Sequence, residues 1–240
     1  MPVLIDAGTG DPRHLADVTA ALGSSRLVRV LVTHGHSDHA SGALAIAERM
    51  PHVRFAKIPW PERDAHYAVR WETLSDDQTV EAGDGELVVV WTPGHAPDHA
   101  CFWHRESGTV FCGDLAVAGS TVVIPPSSGG DLGSYLASVE RVLALKPSRL
   151  LPAHGPVIED PATLLRHYLA HRREREAQVL AALSAGDATP ESIVARIYTG
   201  LTASLSEAAN ESVTAHLIKL QREGRVRRES EGWKIVESTN

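Results

Sequence analysis

The amino-acid sequence predicts an α/β fold of layered sheets and helices, followed by a small C-terminal winged-helix domain. In the first third of the chain, short apolar runs typical of buried strands alternate with helical segments, a pattern of layered α/β proteins. Between residues 79 and 124 the pattern changes to short strands separated by turns. Residues 171–240 predict helices followed by two short strands, which is the winged-helix arrangement.

The first predicted strands and helices alternate along the chain. Strands are predicted at 3–5, 27–32 and 53–58 from their apolar runs. A helix from Asp11 to Leu22 has a capping aspartate, a proline at its first position and Gly23 at its end. A second helix at 42–49 ends before Pro51. For residues 59–78 two interpretations stay open: a substrate-side loop, or a plain connection with a short helix at 62–71.

The second series begins with strands at 79–81 and 87–91. A hairpin at 100–104 and 109–113 places Cys101 opposite Cys112, and we expect two packed thiols rather than a disulfide. Later elements are predicted in the following order: a helix at 132–145, a strand at 150–155, helices at 161–183, 190–198 and 207–223, and strands at 225–228 and 233–236.

Composition and charge narrow the class of protein. The chain has 240 residues, with 43% hydrophobic and 22% charged residues, as in ordinary globular proteins. No apolar run approaches the roughly 20 residues that a membrane-spanning helix needs, and the N-terminus has no signal-type segment. We therefore expect a cytoplasmic protein without a membrane partner.

Two domains are predicted, a catalytic domain at 1–170 and a winged-helix-like domain at 171–240. The formal net charge of −7 belongs entirely to the first domain, because lysine and arginine balance aspartate and glutamate in the second. Neither domain has the strongly basic character of a dedicated nucleic-acid binder, which weighs against that class of function.

A dense group of candidate metal ligands follows the strand at 27–32. The segment Thr33-His34-Gly35-His36-Ser37-Asp38-His39 holds three histidines and one aspartate within six residues. The apolar run predicts a buried strand, and Gly35 and Ser37 predict a loop at its carboxyl end, where α/β proteins tend to place their sites. Imidazole and carboxylate together suit zinc and similar divalent ions.

Further candidate ligands lie at the ends of later strands: His95, Asp114 and His154. Strand ends at one edge of a layered protein converge in space although they are distant in sequence. Seven such groups are too many for one tetrahedral zinc, which takes four ligands. The set suits two metal ions that share a bridging carboxylate.

These residues stand in motifs that resemble those of the metallo-β-lactamase superfamily. The matching segments, in the family's order, are Leu4-Ile5-Asp6-Ala7-Gly8, His34 to His39, Thr92-Pro93-Gly94-His95, Gly113-Asp114 and Ala153-His154-Gly155. The resemblance implies an αββα sandwich. The C-terminal domain resembles that of the branch with a winged helix, and retention of Asp114 points to glyoxalase II-like and β-lactamase-like endoribonuclease members rather than to true β-lactamases.

The resemblance also implies roles for individual residues. His34, His36 and His95 would bind the first metal, Asp38, His39 and His154 the second, and Asp114 would bridge them. Asp6 would orient ligands by hydrogen bonding, and we expect His99 to be a buried supporting residue. Two divalent ions, most simply Zn²⁺, would activate a bridging hydroxide. Asp38 is the candidate catalytic residue that orients the water and moves its proton.

Three functions stay open. The first is hydrolysis of a small-molecule ester or thioester substrate, and the second is cleavage of single-stranded RNA. Arginines near the predicted wing could meet phosphates: Arg222, Arg225, Arg227 and Arg228. We prefer the interpretation of a solvated basic face, because the domain is net neutral and lacks an aromatic stripe. A non-catalytic binding protein is the third function, and the complete ligand set counts against it.

One departure from the family pattern concerns the first sheet. In the superfamily roughly 20–40 residues that form the first strands usually precede the segment equivalent to Leu4-Ile5-Asp6, whereas only three residues precede Leu4 here. We therefore expect a first sheet that lacks N-terminal strands and has an exposed edge. Because an exposed edge invites pairing with another chain, a homodimer is a possible assembly.

Overall fold

The structure, a computed structural model, describes residues 1–236, with the side chains of residues 203 and 204 left aside. Two β-sheets pack face to face. The first has four parallel strands in the order β1-β2-β3-β4. Its strands are β1 (Val3–Ile5), β2 (Arg29–Leu31), β3 (Arg54–Lys57) and β4 (Trp71–Thr73).

The second sheet has five strands in sequence order. Neighbouring strands are antiparallel except the last pair, which is parallel. Its strands are β5 (Thr79–Ala82), β6 (Gly85–Trp91), β7 (Ala100–His104), β8 (Thr109–Gly113) and β9 (Arg149–Pro152). Buried residues of the two sheets, such as Leu31 and Val89, form the core between them.

Helices cover the outer face of each sheet. The helices of the first part are α1 (Pro12–Leu22), α2 (Ser37–Ala40), α3 (Ala43–Arg49) and α4 (Pro61–Asp64). Leu15 of α1 and Ile46 of α3 pack against Val30 and Phe55 of the first sheet. On the second sheet lie α5 (Leu132–Ala144) and the first half of α6 (Pro161–Ser184). This is the αββα sandwich that the sequence predicts.

The C-terminal part forms a second hydrophobic core. It contains the end of α6, α7 (Pro190–Ile197), α8 (Ala203–Arg222) and an antiparallel hairpin of β10 (Val226–Glu229) and β11 (Gly232–Ile235). Three helices and a hairpin are the predicted winged-helix arrangement. Because α6 runs unbroken from one core to the other, the predicted boundary at 170/171 lies inside a helix, and its position stays a prediction.

Several elements differ from the sequence prediction. Residues 59–78 contain β4, which we did not predict, and their helix is the single turn Pro61–Asp64 rather than a helix at 62–71. The ligand loop includes the short helix α2, and α8 begins at 203 rather than 207. In β4, Trp71 packs edge-on against Phe55 of β3 with ring centroids 6.1 Å apart. The strand therefore forms through contacts with a distant segment, which local patterns do not reveal.

Two expectations concern buried thiols and the sheet edge. Cys101 and Cys112 are both buried and free, as expected for packed thiols. In the first sheet, β1 lies at an edge, as expected, but pairing of that edge with a second copy stays a prediction. Among residues 1–236, no helix combines the length and apolar character that a bilayer crossing demands.

Gly94, which precedes a candidate ligand, makes a close backbone contact with α5. Its φ is +137°, and a Cβ built on it overlaps the backbone of Tyr135. We predict that Gly94→Ala lowers the free energy of unfolding by about 2–4 kcal/mol, from steric strain added to an unfavourable φ.

The control for this prediction is Gly186→Ala. Gly186 also has a positive φ, +98°, but no atom lies within 4 Å of the place that a Cβ would take there. This variant carries only the conformational cost of a positive φ, about 1–2 kcal/mol. Urea denaturation measures both, and equal losses in the two variants would show that the contact with Tyr135 is unimportant.

Candidate metal centre

The structure brings the seven predicted ligands to one edge of the sandwich. They lie at the carboxyl ends of strands or in the segments that follow: His34 and His36 after β2, Asp38 and His39 on α2, His95 after β6, Asp114 after β8 and His154 after β9. They form three overlapping groups, in each of which the ligand atoms lie within 4.8 Å of one another. Sequence segments up to 120 residues apart therefore meet at this edge.

The first group consists of His34, His36 and His95. His36 Nδ1 lies 3.0 Å from His34 Nε2 and 3.0 Å from His95 Nε2. His95 Nδ1 lies 2.8 Å from the carbonyl oxygen of Val123, which can only accept a hydrogen bond. The proton of His95 therefore belongs on Nδ1, and the lone pair of its Nε2 is directed at the other two rings.

Burial keeps this first group uncharged. Desolvation, followed by the neighbouring histidines, lowers the pKa of His34 well below its usual value. Desolvation and His95 lower the pKa of His36 to about 4, and desolvation lowers the pKa of His95. At neutral pH the three rings are neutral imidazoles, the form that binds a metal ion.

The second group consists of Asp38, His39 and His154. Asp38 Oδ2 lies 3.1 Å from His154 Nε2 and 3.5 Å from His39 Nε2. The Asp38 side chain is 45% exposed, whereas that of His39 is only 2% exposed. The group therefore reaches from the buried centre to the solvent at its mouth.

Asp114 lies between the two groups. Its Oδ2 is 3.4 Å from His95 Nε2 and 3.6 Å from His39 Nε2, while its Oδ1 is 3.6 Å from His154 Nε2. Desolvation opposes ionisation of Asp114, but its interaction with the nearby His39 ring prevails and lowers its pKa to about 2. An ionised carboxylate whose Oδ2 lies near both groups and whose Oδ1 lies near the second is suited to bridge two cations.

Asp6 orients the His39 ring through a hydrogen bond to the nitrogen that faces away from the centre. Its backbone has φ +62°, a left-handed conformation that aspartate tolerates better than most residues. Oδ2 accepts a hydrogen bond from His39 Nδ1 at 2.7 Å, and Oδ1 accepts one from Thr33 N at 2.7 Å. With its proton on Nδ1, His39 directs Nε2 at the centre, and this buried atom has no hydrogen-bond partner among the described residues.

His99 holds the bridging carboxylate rather than joining it. Its Nε2 accepts a hydrogen bond from the backbone N–H of Asp114 at 3.0 Å, and its Nδ1 lies 2.8 Å from Thr92 Oγ1. Desolvation lowers the pKa of this fully buried ring to about 3. Both nitrogens of His99 are thus occupied, as suits the supporting role predicted for it.

Three supporting groups escaped the sequence prediction. The Thr33 hydroxyl is buried and donates to Asp6 Oδ2 at 3.0 Å. The Thr92 hydroxyl contacts His99, and the Val123 carbonyl orients His95. Thr33 and Thr92 stand inside the ligand motifs, so their positions carried a signal. A backbone carbonyl such as that of Val123 carries none, because any residue type supplies it.

The donor set fits divalent metal ions. Three features of the described residues favour a positive charge at this centre. Neutral imidazole nitrogens approach one another to 3.0 Å, the buried His39 Nε2 has no hydrogen-bond partner, and the Asp114 carboxylate between the groups is ionised.

A groove opens beside the second group of ligands, between the two sheets. It has a volume of about 890 Å³, and its walls are mainly apolar. Val3 and Ile5 line it from the first sheet, and Phe111 and Leu151 line it from the second. Residues of the centre line one part of it, namely Asp6, Asp38, His39 and His154, and its other polar lining residues include His104, Thr109 and Arg149.

Residues 59–78 contact the first group. The Trp60 ring lies beside His36, with centroids 6.3 Å apart. Tyr67 donates its hydroxyl to the carbonyl oxygen of Gly35 at 2.7 Å. Trp71 packs in the first sheet instead. Trp60 and Tyr67 of this segment thus lie beside the centre, whereas Trp71 belongs to a strand of the first sheet.

The four arginines suggested for nucleic-acid contact lie on the winged-helix part and pair largely with acidic side chains. Arg222 pairs with Asp131, Arg225 pairs with Glu176 at 2.5 Å, and Arg227 pairs with Glu229 at 2.8 Å.

The fourth arginine, Arg228, lies over the ring of Trp233 at 5.9 Å. Binding to phosphates would have to compete with the three ion pairs. Contact of these arginines with nucleic acid therefore stays a prediction.

Comparison with protein families matches both parts of the chain. Residues 2–154 match the model of the metallo-beta-lactamase superfamily. Residues 189–233 match the beta-lactamase associated winged helix domain. The first match contains all seven candidate ligands, and the second contains α7, α8 and most of the hairpin.

Individual relatives and solved structures agree with these matches. A beta-lactamase-like protein 2 homolog of Drosophila melanogaster is 32% identical over 94% of this chain and 80% of its own length. An atrochrysone carboxyl ACP thioesterase of Aspergillus chevalieri is 30% identical, covering 98% of this chain and 78% of its own.

Among solved structures, a metallo-beta-lactamase family protein of Thermus thermophilus has a TM-score of 0.80 at 22% identity, covering 97% of this chain and 89% of its own. TTHA1623, solved in a di-iron-bound form, has a TM-score of 0.57 at 27% identity over 67% of this chain and 85% of its own.

The charge of His39 gives a testable prediction. Burial acts to lower its pKa, but the nearby carboxylates of Asp114 and Asp6 prevail and raise it to about 10. In metal-free protein we predict an imidazolium at His39 and a neutral ring at His36 at pH 8. Because the His39 proton must leave before a metal binds, affinity for the second ion rises between pH 7 and about pH 10. The raised pKa stabilises the metal-free fold below pH 6.5, and this contribution is lost as the pH rises through about 10.

Nuclear magnetic resonance of ¹⁵N-labelled imidazoles, before and after addition of metal, measures both charges. Asp6→Asn is the control, since removal of one of the two acids should lower the His39 pKa. A neutral His39 ring at pH 8 in metal-free wild-type protein would contradict the prediction.

Proposed function

Because this chain belongs to the metallo-beta-lactamase superfamily and is a hydrolase of that superfamily, we propose that it hydrolyses a small-molecule acyl thioester or related ester with two divalent metal ions. The observation that carries the proposal is the pair of ligand groups joined by Asp114. Each group offers three side chains, and the shared carboxylate supplies a further ligand to both.

Zinc is the first candidate for the ions, since imidazole and carboxylate ligands suit it. The di-iron form of TTHA1623 makes iron the alternative to test. When bound, two such ions would lower the pKa of a shared water and polarise the carbonyl of the substrate. His34, His36 and His95 would hold the first ion, and Asp38, His39 and His154 the second.

Asp38 is proposed to handle the proton of the reaction. Its carboxylate is the most exposed of the acidic groups at the centre and lies 3.1 Å from His154. It would accept the proton of the water whose oxygen attacks the thioester carbonyl carbon. When the carbon–sulfur bond breaks, the same proton would pass to the thiolate and release a thiol. Asp6 and His99 would keep His39 and Asp114 in place during these steps.

The groove supports an acyl substrate over a polyanion. Its walls are mainly apolar and reach Asp38, His39 and His154, so an apolar acyl part would exchange water for apolar contacts. The name of the thioesterase relative agrees with this chemistry. The net charge of −7 and the ion-paired arginines disfavour long-range attraction of RNA.

Cleavage of single-stranded RNA is the second candidate function. It is favoured by the match of residues 189–233 to the winged helix domain, a module type that places helices and strands against nucleic acid. Both functions need the same ligands, so loss of activity in a ligand variant does not distinguish them. The substrate and the dependence on salt do.

Parallel assays on a short-chain acyl thioester and on a labelled single-stranded RNA oligonucleotide test the proposal. We expect thiol release that falls at least about 100-fold in Asp38→Ala, in line with the loss of a general acid–base group, while the circular dichroism spectrum is unchanged. A chelator should abolish release, and Zn²⁺ or Fe²⁺ should restore it.

The matched control is the double variant Arg227→Ala/Arg228→Ala on the wing. Thioester hydrolysis should be unaffected by these changes and nearly constant between about 50 and 200 mM salt, whereas RNA cleavage would fall steeply in both tests. RNA cleavage above the Asp38→Ala background, without thiol release, would replace the first candidate function with the second.

A further inference from the structure

A lysine is buried beneath the first group of ligands. Lys57, the last residue of β3, has only 1% of its surface exposed. Its ammonium group lies within 2.8 Å of three oxygens: the carbonyl of Ile58, Oδ1 of Asp64 and Oδ2 of Asp98. The contacts with Ile58 and Asp64 are hydrogen bonds, whereas the contact with Asp98 is an ion pair, and the two carboxylates belong to different segments of the chain.

Asp98 connects Lys57 to the loop that carries His95. Its side chain is fully buried and stands three residues after His95 and one before His99. Burial raises the pKa of Asp98, while the charge of Lys57 acts in the opposite direction. Lys57 is thus the cation that compensates the Asp98 carboxylate, because an isolated buried charge would be very costly.

Gly35, between His34 and His36, is held from two sides. Arg63 Nε and the Tyr67 hydroxyl donate to its carbonyl oxygen at 2.9 and 2.7 Å. A Cβ built on Gly35 would lie 3.3 Å from Asp98 Oδ2 and 2.9 Å from Arg63 Cγ. The peptide therefore packs closely between Asp98 and Arg63, and its position sets where the two flanking imidazoles point.

Asp64 carries the same network to α4. It accepts hydrogen bonds from Lys57 Nζ at 2.5 Å and from the backbone N–H of Trp60 at 2.8 Å. These contacts fix the start of the helical turn that bears Arg63. Lys57 thus anchors both groups that enclose Gly35, namely Asp98 directly and Arg63 through Asp64.

Stability alone explains this arrangement poorly. A buried ion pair costs much desolvation free energy, and its replacement by apolar residues is often neutral or stabilising. We propose that Lys57 and Asp98 are positioning residues, whose buried ion pair holds Gly35 so that His34 and His36 present their nitrogens to the first metal ion. This inference rests on the proposed metal centre and extends it to residues that contact no ligand atom of the ion.

The test uses the double variant Lys57→Met/Asp98→Asn, which removes both charges and nearly conserves shape. Titration of metal-free protein with Co²⁺, followed by visible absorption, reports the affinity and the ligand geometry without any activity measurement. We expect a shift of the absorption bands and a loss of affinity for the first ion of about 10- to 100-fold, as for other groups that orient metal ligands. Because Asp64 loses its cation in this variant, we expect a lower melting temperature, so the comparison rests on the Co²⁺ titration of folded protein.

The matched control is Arg54→Met/Glu72→Gln. Arg54 is also on β3 and pairs with Glu72 at 3.3 Å, but this ion pair is exposed. We expect Co²⁺ affinity and spectrum as in the wild type. Wild-type affinity and spectrum in Lys57→Met/Asp98→Asn would overturn the proposal, whether or not the melting temperature fell.

Tyr67→Phe keeps the test decisive if the double variant does not fold. It removes one hydrogen bond to the Gly35 carbonyl from a partly exposed ring, and we expect Co²⁺ affinity to fall about threefold or more. No change in affinity or spectrum would contradict the proposal. If the wild-type protein binds no Co²⁺, the proposed metal centre is wrong and this inference fails with it. If the wild-type protein binds Co²⁺ and the variants bind it equally well, only the role of Lys57 and Asp98 is wrong.

Discussion

Imidazole nitrogens that approach to 3.0 Å with their lone pairs directed at one another repel unless a cation or a proton lies between them, and the centre of this protein is built around that constraint. His36 Nδ1 makes this approach to His34 and to His95. Burial keeps the rings neutral. The single proton that a neutral His36 can carry on Nδ1 serves only one of the two contacts, so a metal ion is suited to satisfy both. Most of the structure nearby serves to hold the rings in this unfavourable arrangement.

The rings are held through their second nitrogen. The Val123 carbonyl accepts a hydrogen bond from His95 Nδ1, and Asp6 accepts one from His39 Nδ1. His99 works one step further away, since it accepts from the backbone of Asp114. Each contact fixes which nitrogen carries a proton and therefore which nitrogen is free for an ion. The β-sandwich contributes by ending its strands at one edge, where these contacts become short.

Charge is distributed differently in the two parts of the chain. Around the centre, carboxylates lie beside histidines, and a cation would be attracted to both the carboxylates and the imidazole lone pairs. On the winged helix, three of the four arginines suggested for phosphate contact pair with aspartate or glutamate. The Arg222–Asp131 pair also joins α8 to the N-terminal cap of α5. At least one of these arginines thus ties the winged helix to the catalytic domain.

The sequence by itself determined the layered α/β class, the winged helix and the seven candidate ligands, because apolar periodicity and ligand motifs are local properties of the chain. It also indicated Asp6 and His99 as supporting residues. Only the tertiary structure decided that β4 joins the first sheet, that the Val123 carbonyl orients His95, and that Lys57 meets Asp98, which stands 41 positions further along the chain. Such contacts form between segments that are distant in sequence and meet only in the folded protein. The spacing of residues along the chain therefore does not predict them.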